Sequence, residues 1–284
     1  MKLRVFGKPL LSGFALPGFP VQESKFLPKK RRKSLFEALR SKRFVRGLGF
    51  ALVLVMGSTF AALQAQATDT GADSEMDYAL VTPGGTGTSG YAIGPSNNFP
   101  NLSTNATWEA WIHPTDAIGF EQFINKEHSF VFGVLDGVYQ WAFGNGTSWS
   151  NPSWVTTNIR ASLNSWQHVA FVKSGSNLKF FLNGALAVDA TLAFHALGSS
   201  NTPLTIGGRI NSDHFAGRVD EVRIWNSARS ASQVLAGMHQ NHKTIGTPSD
   251  LLGYWDFNEP SGTTIYNRAT AVASTNLTFQ GTPS

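Results

Sequence analysis

An all-β fold, an antiparallel two-sheet β-sandwich of the jelly-roll kind, is what this sequence predicts for most of its length. Three observations carry that reading. Short apolar runs alternate with turn-forming residues from about residue 77 onward, helical periodicity is nearly absent there, and only one brief segment reads as a helix. A single short helix and an N-terminal signal or anchor helix complete the prediction.

The strands follow in order. "ATWEAWIHP" alternates and stops at Pro114, because proline cannot donate to a ladder. "SWQHVAFVKSG" reads as a strand ending at Gly175. "NLKFFLNGALAVDA" predicts two strands around Asn183-Gly184, a two-residue hairpin signal, since both residues tolerate positive φ. "PLTIGGRINSDHFAGRVDEVRIWN" predicts two strands joined by a polar loop, and "LLGYWDFNEPSGTTIYN" a further pair around Pro260-Ser261-Gly262. The helix is expected in "SARSASQVLAGMHQNH", capped by Ser230, with Val234, Leu235 and Met238 as its apolar stripe.

Charge divides the chain. Of its 23 Lys and Arg, 13 fall in residues 1–46 beside only two acids, Glu23 and Glu37. The remaining 10 basic residues share residues 68–284 with 16 acids, a balance of −6. The overall charge of +5 therefore describes the leader, and the domain itself gives no reason to expect nucleic acid as a partner.

Residues 1–67 read as that leader: a long basic run, the uncharged "LGFALVLVMGSTFAAL", then "AQA" at Ala65 to Ala67, which suits cleavage after Ala67. An uncleaved membrane anchor, or a true start near Leu35, fits the same features. Either predicts export to a secreted, periplasmic or cell-surface location, with membrane contact only through this segment. Residues 68–76 read as a linker and 77–284 as one domain. With no cysteine, an exported domain must be held by its core alone, and one this long can bury a sizeable core.

The strand "GRVDEVRIW" raises a question of its own. Regular alternation puts Asp220 with Val222 and Ile224 on the core side, and Glu221, Arg223 and Trp225 on the other. A bare carboxylate in a core costs several kcal/mol, so Asp220 needs a cation or hydrogen-bond donors.

The pieces "TWEAWIHP", "INKEHSFVFGV", "SWQHVAFVKSGSNLKFFLNGALA", "PLTIGGR", "GRVDEVRIWNSARSASQV" and "LLGYWDFNEPSGTTIYN", in that order, resemble the laminin-G-like, concanavalin-A-like jelly-roll family in its bacterial surface, pentraxin-related form. The resemblance covers about residues 77–270. It implies the sandwich fold and a choice among glycan binding, protein binding, adhesion and, in distant relatives, polysaccharide cleavage. It also implies a structural calcium at Asp220, the matching position. No acid lies between Asp77 and Glu109, where relatives carry an acidic turn, so that site would be weak. Asp220 is expected to be an anchor, with or without calcium, and no other cofactor is implied.

An enzyme of this fold would need paired carboxylates on alternate strand residues, and none occurs. Asp256 and Glu259 sit at a turn, where turn chemistry explains them. The seven histidines are scattered, without zinc-site spacing, and His168 reads as a hydrogen-bonded strand residue.

Binding candidates lie in two loops. "FGNGTSWSNPSW" combines Asn145, Trp149, Asn151 and Trp154: aromatic faces suit sugar C–H surfaces and amides suit hydroxyls, although either tryptophan could instead cover the core. "NSDHF" places Asp213 and His214, expected to face solvent. The function expected is a non-catalytic module that binds glycan or an extracellular surface protein. A structural or adhesive spacer, and a polysaccharide-active enzyme, are the alternatives.

Overall fold

A computed structural model describes residues 2–4, 78–269 and 275–281, apart from 89, 97–98, 101, 103, 194–195 and 247. The leader beyond residue 4, the linker and His195 lie outside the described residues, as does the boundary at 67. Among the described residues, no helix is long and apolar enough to cross a membrane.

The elements in chain order are β1 (Lys2–Arg4), β2 (Tyr78–Gly85), β3 (Tyr91–Ile93), β4 (Asn105–Pro114), β5 (Phe120–Lys126), β6 (Phe130–Leu135), β7 (Val138–Gly144) and β8 (Trp149–Arg160). There follow β9 (Gln167–Ser174), β10 (Asn177–Leu182), β11 (Ala185–Thr191), β12 (Leu204–Ile206) and β13 (His214–Trp225). Helices α1 (Ala231–Gly237) and α2 (His242–Ile245) precede β14 (Leu251–Trp255), β15 (Thr264–Ile265) and β16 (Leu277–Gln280).

One layer runs β11-β10-β9-β4-β13-β14, and the other β8-β7-β6-β5-β12-β3-β16-β15. They join where His214, at the start of β13, bridges to Gln122 of β5. β2 pairs with the first half of β13, and β1 with β2. Between the layers lies one apolar cluster. Trp108, Phe171, Phe180, Val222 and Ile224 come from the first layer, and Phe123, Phe132, Trp141, Phe143 and Ile206 from the second. The phenyl rings of Phe132 and Phe171 stack across it at 4.2 Å. This burial holds the fold without disulfides: each large side chain removed from water contributes about 1.5–3 kcal/mol.

Turn chemistry matches the sequence at Asn183-Gly184, with φ of 51° and 76°, where β10 and β11 form their hairpin. Asp136-Gly137 makes the same turn between β6 and β7, with φ of 48° and 75°. The helix α1 begins where expected. Ser230 accepts from the Gln233 amide, and the Gln233 side chain returns the bond, a capping box. Val234 is fully buried and Met238 nearly so, but Leu235 is 45% exposed.

Two sequence expectations are corrected. Leu251–Trp255 and Thr264–Ile265 do not pair with each other: β14 extends β13 in one layer, and β15 pairs with β16 in the other. The second correction concerns Asp220. The register of β13 against β4 shifts between Asp220 and Arg223, and Glu221 adopts a φ of 53°. This β-bulge inserts a residue and reverses the side-chain phase. Val219 and Val222, three apart, both enter the core, so Asp220 leaves the core side and stands opposite Trp111 on the outer face.

That outer face carries a buried polar cluster beneath α1 and the turn after it. Arg223 donates to the Gly237 carbonyl at 2.7 Å and bonds Glu221 and the Gln240 carbonyl. Tyr254 donates to Glu221 at 2.7 Å. Glu109 meets His168 at 3.4 Å and Arg229 at 3.3 Å, while Arg229 lies over the Trp225 ring. Burial alone would raise the Glu109 carboxyl, but His168, Arg223 and Arg229 together hold it below the usual range. His168 is thus the structural strand residue the sequence suggested.

Candidate functional site

The segment "FGNGTSWSNPSW" is not a long loop. β7 runs through Gly144, a tight turn spans 145–148, and β8 starts at Trp149. The Asn145 side-chain Oδ1 accepts from the amides of Thr147 and Ser148 at 3.0 and 2.8 Å, so this side chain closes the turn rather than reaching outward. Asn151 lies within β8, and its side chain is outside the described residues.

Three turns pack together around that tip at glycines. The Gly146 amide donates to the His128 carbonyl at 2.8 Å, Gly144 to Ser129 at 2.9 Å, and Gly198 to Gly144 at 2.9 Å. A Cβ on Gly198 would stand 1.9 Å from the Asn145 carbonyl carbon, and one on Gly144 2.2 Å from the His128 carbonyl oxygen. Backbone contact this close needs glycine. It brings the β5–β6 turn, with His128 at a φ of 62°, against the start of β8. Lys126 secures the neighbouring loop, its buried ammonium donating to the carbonyls of Ser200 and Thr202 at 2.9 and 2.6 Å. Burial lowers its pKa.

The result is a row of rings. Phe120 meets Trp154 edge-on at 5.0 Å, Trp154 meets Trp149 at 5.6 Å, and Trp149 meets His128 at 5.8 Å. All four are at least partly exposed, Trp154 by 38%. Neither tryptophan of this segment folds back into the core; Trp154 pairs with Ala142 on the side opposite the buried Trp141.

The row continues into charged groups. His128 Nε2 is 3.5 Å from Glu127 Oε1, and Arg209 donates to the same oxygen at 2.9 Å. Arg209 Nη1 then lies 3.9 Å from Asp213 Oδ2, which accepts from Gln122 at 3.2 Å. The two candidate loops, some sixty residues apart in sequence, therefore meet through Glu127 and Arg209. Sequence reading missed these two, with His128 and Phe120. The signal for them was faint: "INKEHSF" reads only as a polar turn until the glycine contacts fold it against β8.

His214 departs from expectation. It is 1% exposed, not solvent-facing, with its ring 5.1 Å from Tyr91. As the first residue of β13 it is drawn under β2, and burial lowers its pKa against weaker opposing effects from the Arg209 carbonyl and Asp213. Asp213, at a φ of 51°, remains half-buried at the rim.

Asp220 caps the bulge: its Oδ1 accepts the Glu221 amide at 2.7 Å. Calcium takes six to eight oxygens, and among the described residues no three His, Asp or Glu side chains converge. Asp220 would therefore bring a single carboxylate, one of whose oxygens already accepts an N–H, and a calcium here would draw the rest of its shell from backbone carbonyls. Asp256 and Glu259 both meet Arg268, at 3.1 and 3.3 Å, and Glu259 accepts the Tyr266 amide at 2.9 Å.

A sequence profile of the concanavalin A-like lectin/glucanases superfamily, in its laminin-G form, matches residues 85–235, just over half of the chain. The chain belongs to that superfamily. Solved structures resemble it at low identity. A candidate carbohydrate-binding protein from Bacteroides ovatus is 19% identical, with a TM-score of 0.53 over 71% of this chain. The chain spans 59% of that protein's length. Domain 4 of AbnA, a GH43 extracellular arabinanase from Geobacillus stearothermophilus solved with arabinotriose, is 21% identical, with a TM-score of 0.46 over 59% of this chain and 80% of its own. A heptameric SAP-like pentraxin from Limulus polyphemus is 16% identical, with a TM-score of 0.38 over 55% and 83%. No curated protein matches the chain. The likeness to the Bacteroides ovatus protein shows the fold alone and leaves the site to be read from the chain's own residues.

Proposed function

We propose that this chain is an exported, non-catalytic module that binds glycan along the edge formed by the β5–β6 turn and β8. The observation that carries the reading is the partly exposed row Trp154–Trp149–His128 running into Glu127, Arg209 and Asp213. Apolar sugar faces stack on indole rings, and hydroxyls are bonded by carboxylates and guanidinium, so one continuous edge offers both halves of sugar recognition.

The fold shared with a candidate carbohydrate-binding protein is in keeping with this. The non-catalytic part rests on the engagement of the acids that might otherwise react: Glu109 with His168 and Arg229, Asp256 and Glu259 with Arg268. Export rests on the basic and apolar leader.

A glycan array probed with the full-length chain tests the proposal. Binding that Trp154→Ala abolishes is the expected result. Silence across the array, or binding indifferent to that substitution, would overturn it.

A further inference from the structure

The same edge has a chemistry that selects among glycans, and the inference drawn from it rests on the binding reading above. Arg209 is held between Glu127 and Asp213, so the polar end carries two carboxylates for one guanidinium. Both of its terminal nitrogens are already turned toward those acids, Nη2 to Glu127 and Nη1 to Asp213. Among the described residues, Glu127 Oε2 and Asp213 Oδ1 carry no hydrogen bond. These two oxygens are acceptors that take O–H donors, and the Arg209 N–H groups not engaged with Glu127 stand beside them to donate to a hydroxyl.

We infer that the site takes an uncharged glycan chain of at least two sugar units, and discriminates against glycans bearing carboxylate or sulfate groups. An anionic sugar at Arg209 would lie beside both Glu127 and Asp213, two negative charges against one positive, which like-charge repulsion opposes. A neutral sugar instead donates its hydroxyls to the two vacant carboxylate oxygens and leaves the ion pairs standing. The excess of acids over bases in residues 68–284 acts in the same direction at longer range.

The length requirement comes from the rings. The planes of Trp149 and Trp154 are tilted by 44° at 5.6 Å, so one sugar ring cannot lie flat on both. Two consecutive units of a bent or twisted chain can, the unit over Trp149 leading toward His128 and the charged group.

The test is calorimetric titration of the full-length chain with gluco-, galacto- and manno-oligosaccharides of one to four units, each beside its C6-oxidised uronate counterpart. Neutral disaccharides and longer chains are expected to bind at least about tenfold tighter than the monosaccharides. They are also expected to bind at least about tenfold tighter than the matched uronates at low salt. That second gap should narrow in the Glu127→Gln/Asp213→Asn double variant and at high salt, where surface charge is screened. Uronates binding as well as their neutral partners, or monosaccharides as well as disaccharides, would overturn the inference while binding lost in Trp154→Ala still upheld the glycan reading. No binding by any of these sugars would overturn both.

Discussion

Trp149 and Trp154 bring their rings to 5.6 Å although an odd spacing of five would place them on opposite faces of a regular strand. The register explains it: β8 slips against β7 between Ala142, which faces Trp154, and Gly144, which faces Trp149. A strand irregularity has gathered two partly exposed indoles onto one side of an edge strand.

Trp154→Ala is expected to weaken glycan binding by at least about tenfold while leaving the melting temperature nearly unchanged, since the ring is partly exposed and outside the core cluster. Trp108→Ala, at 0% exposure, should instead cost about 3–5 kcal/mol of stability. Thermal melts beside titrations separate the two.

Gly198→Ala forces a methyl against the Asn145 backbone at 1.9 Å, with no flexible side chain to yield. The expected outcome is a destabilisation on the order of 1–3 kcal/mol, with weaker glycan binding, because the displaced tip carries the start of β8. Urea unfolding and the array measure the two effects.

Arg223→Ala removes the cation that faces Glu221 and donates to the Gly237 carbonyl at the end of α1. It should cost about 3–5 kcal/mol, the effect of stranding a buried carboxylate. Glu221→Gln in the same background should recover part of that loss in urea unfolding, because the stranded charge is gone.

Glu121 predicts a pH dependence. Burial, then its hydrogen bond with Asp116, pushes its pKa up to about 8, although the Ala216 amide that it accepts opposes the shift. The folded chain thus keeps a proton that the unfolded chain releases from about 4.5 upward. The associated stability is complete below about 4.5 and is lost as pH rises through 8. Glu121→Gln should flatten this slope: similar melting near pH 4.5, and a higher melting temperature than the parent chain near pH 8.

Much of the sandwich was legible because its signals are local. Asn183-Gly184 specified a hairpin and Ser230 a helix start, each through its own backbone chemistry. Asp136-Gly137 carried the same signal as Asn183-Gly184. The phase of Asp220 was not legible, because a bulge at Glu221 leaves no mark in a run of alternating residues. Nor was the site's polar half: Arg209 reaches Glu127 across 82 residues, a contact set by how β12 and β5 pair. His214 was misplaced because "NSDHF" looks like a tip, whereas the chain has already turned into β13 at its histidine.

The central claim is that sugar lies on Trp149 and Trp154. The most direct measurement is the indole N–H spectrum of the full-length chain, labelled at its eight tryptophans, during titration with a neutral oligosaccharide that it binds. The account predicts that the signals of Trp149 and Trp154, assigned by substitution, shift saturably while those of the buried Trp108, Trp141, Trp225 and Trp255 stay in place. A bound sugar that leaves Trp149 and Trp154 unmoved would contradict it.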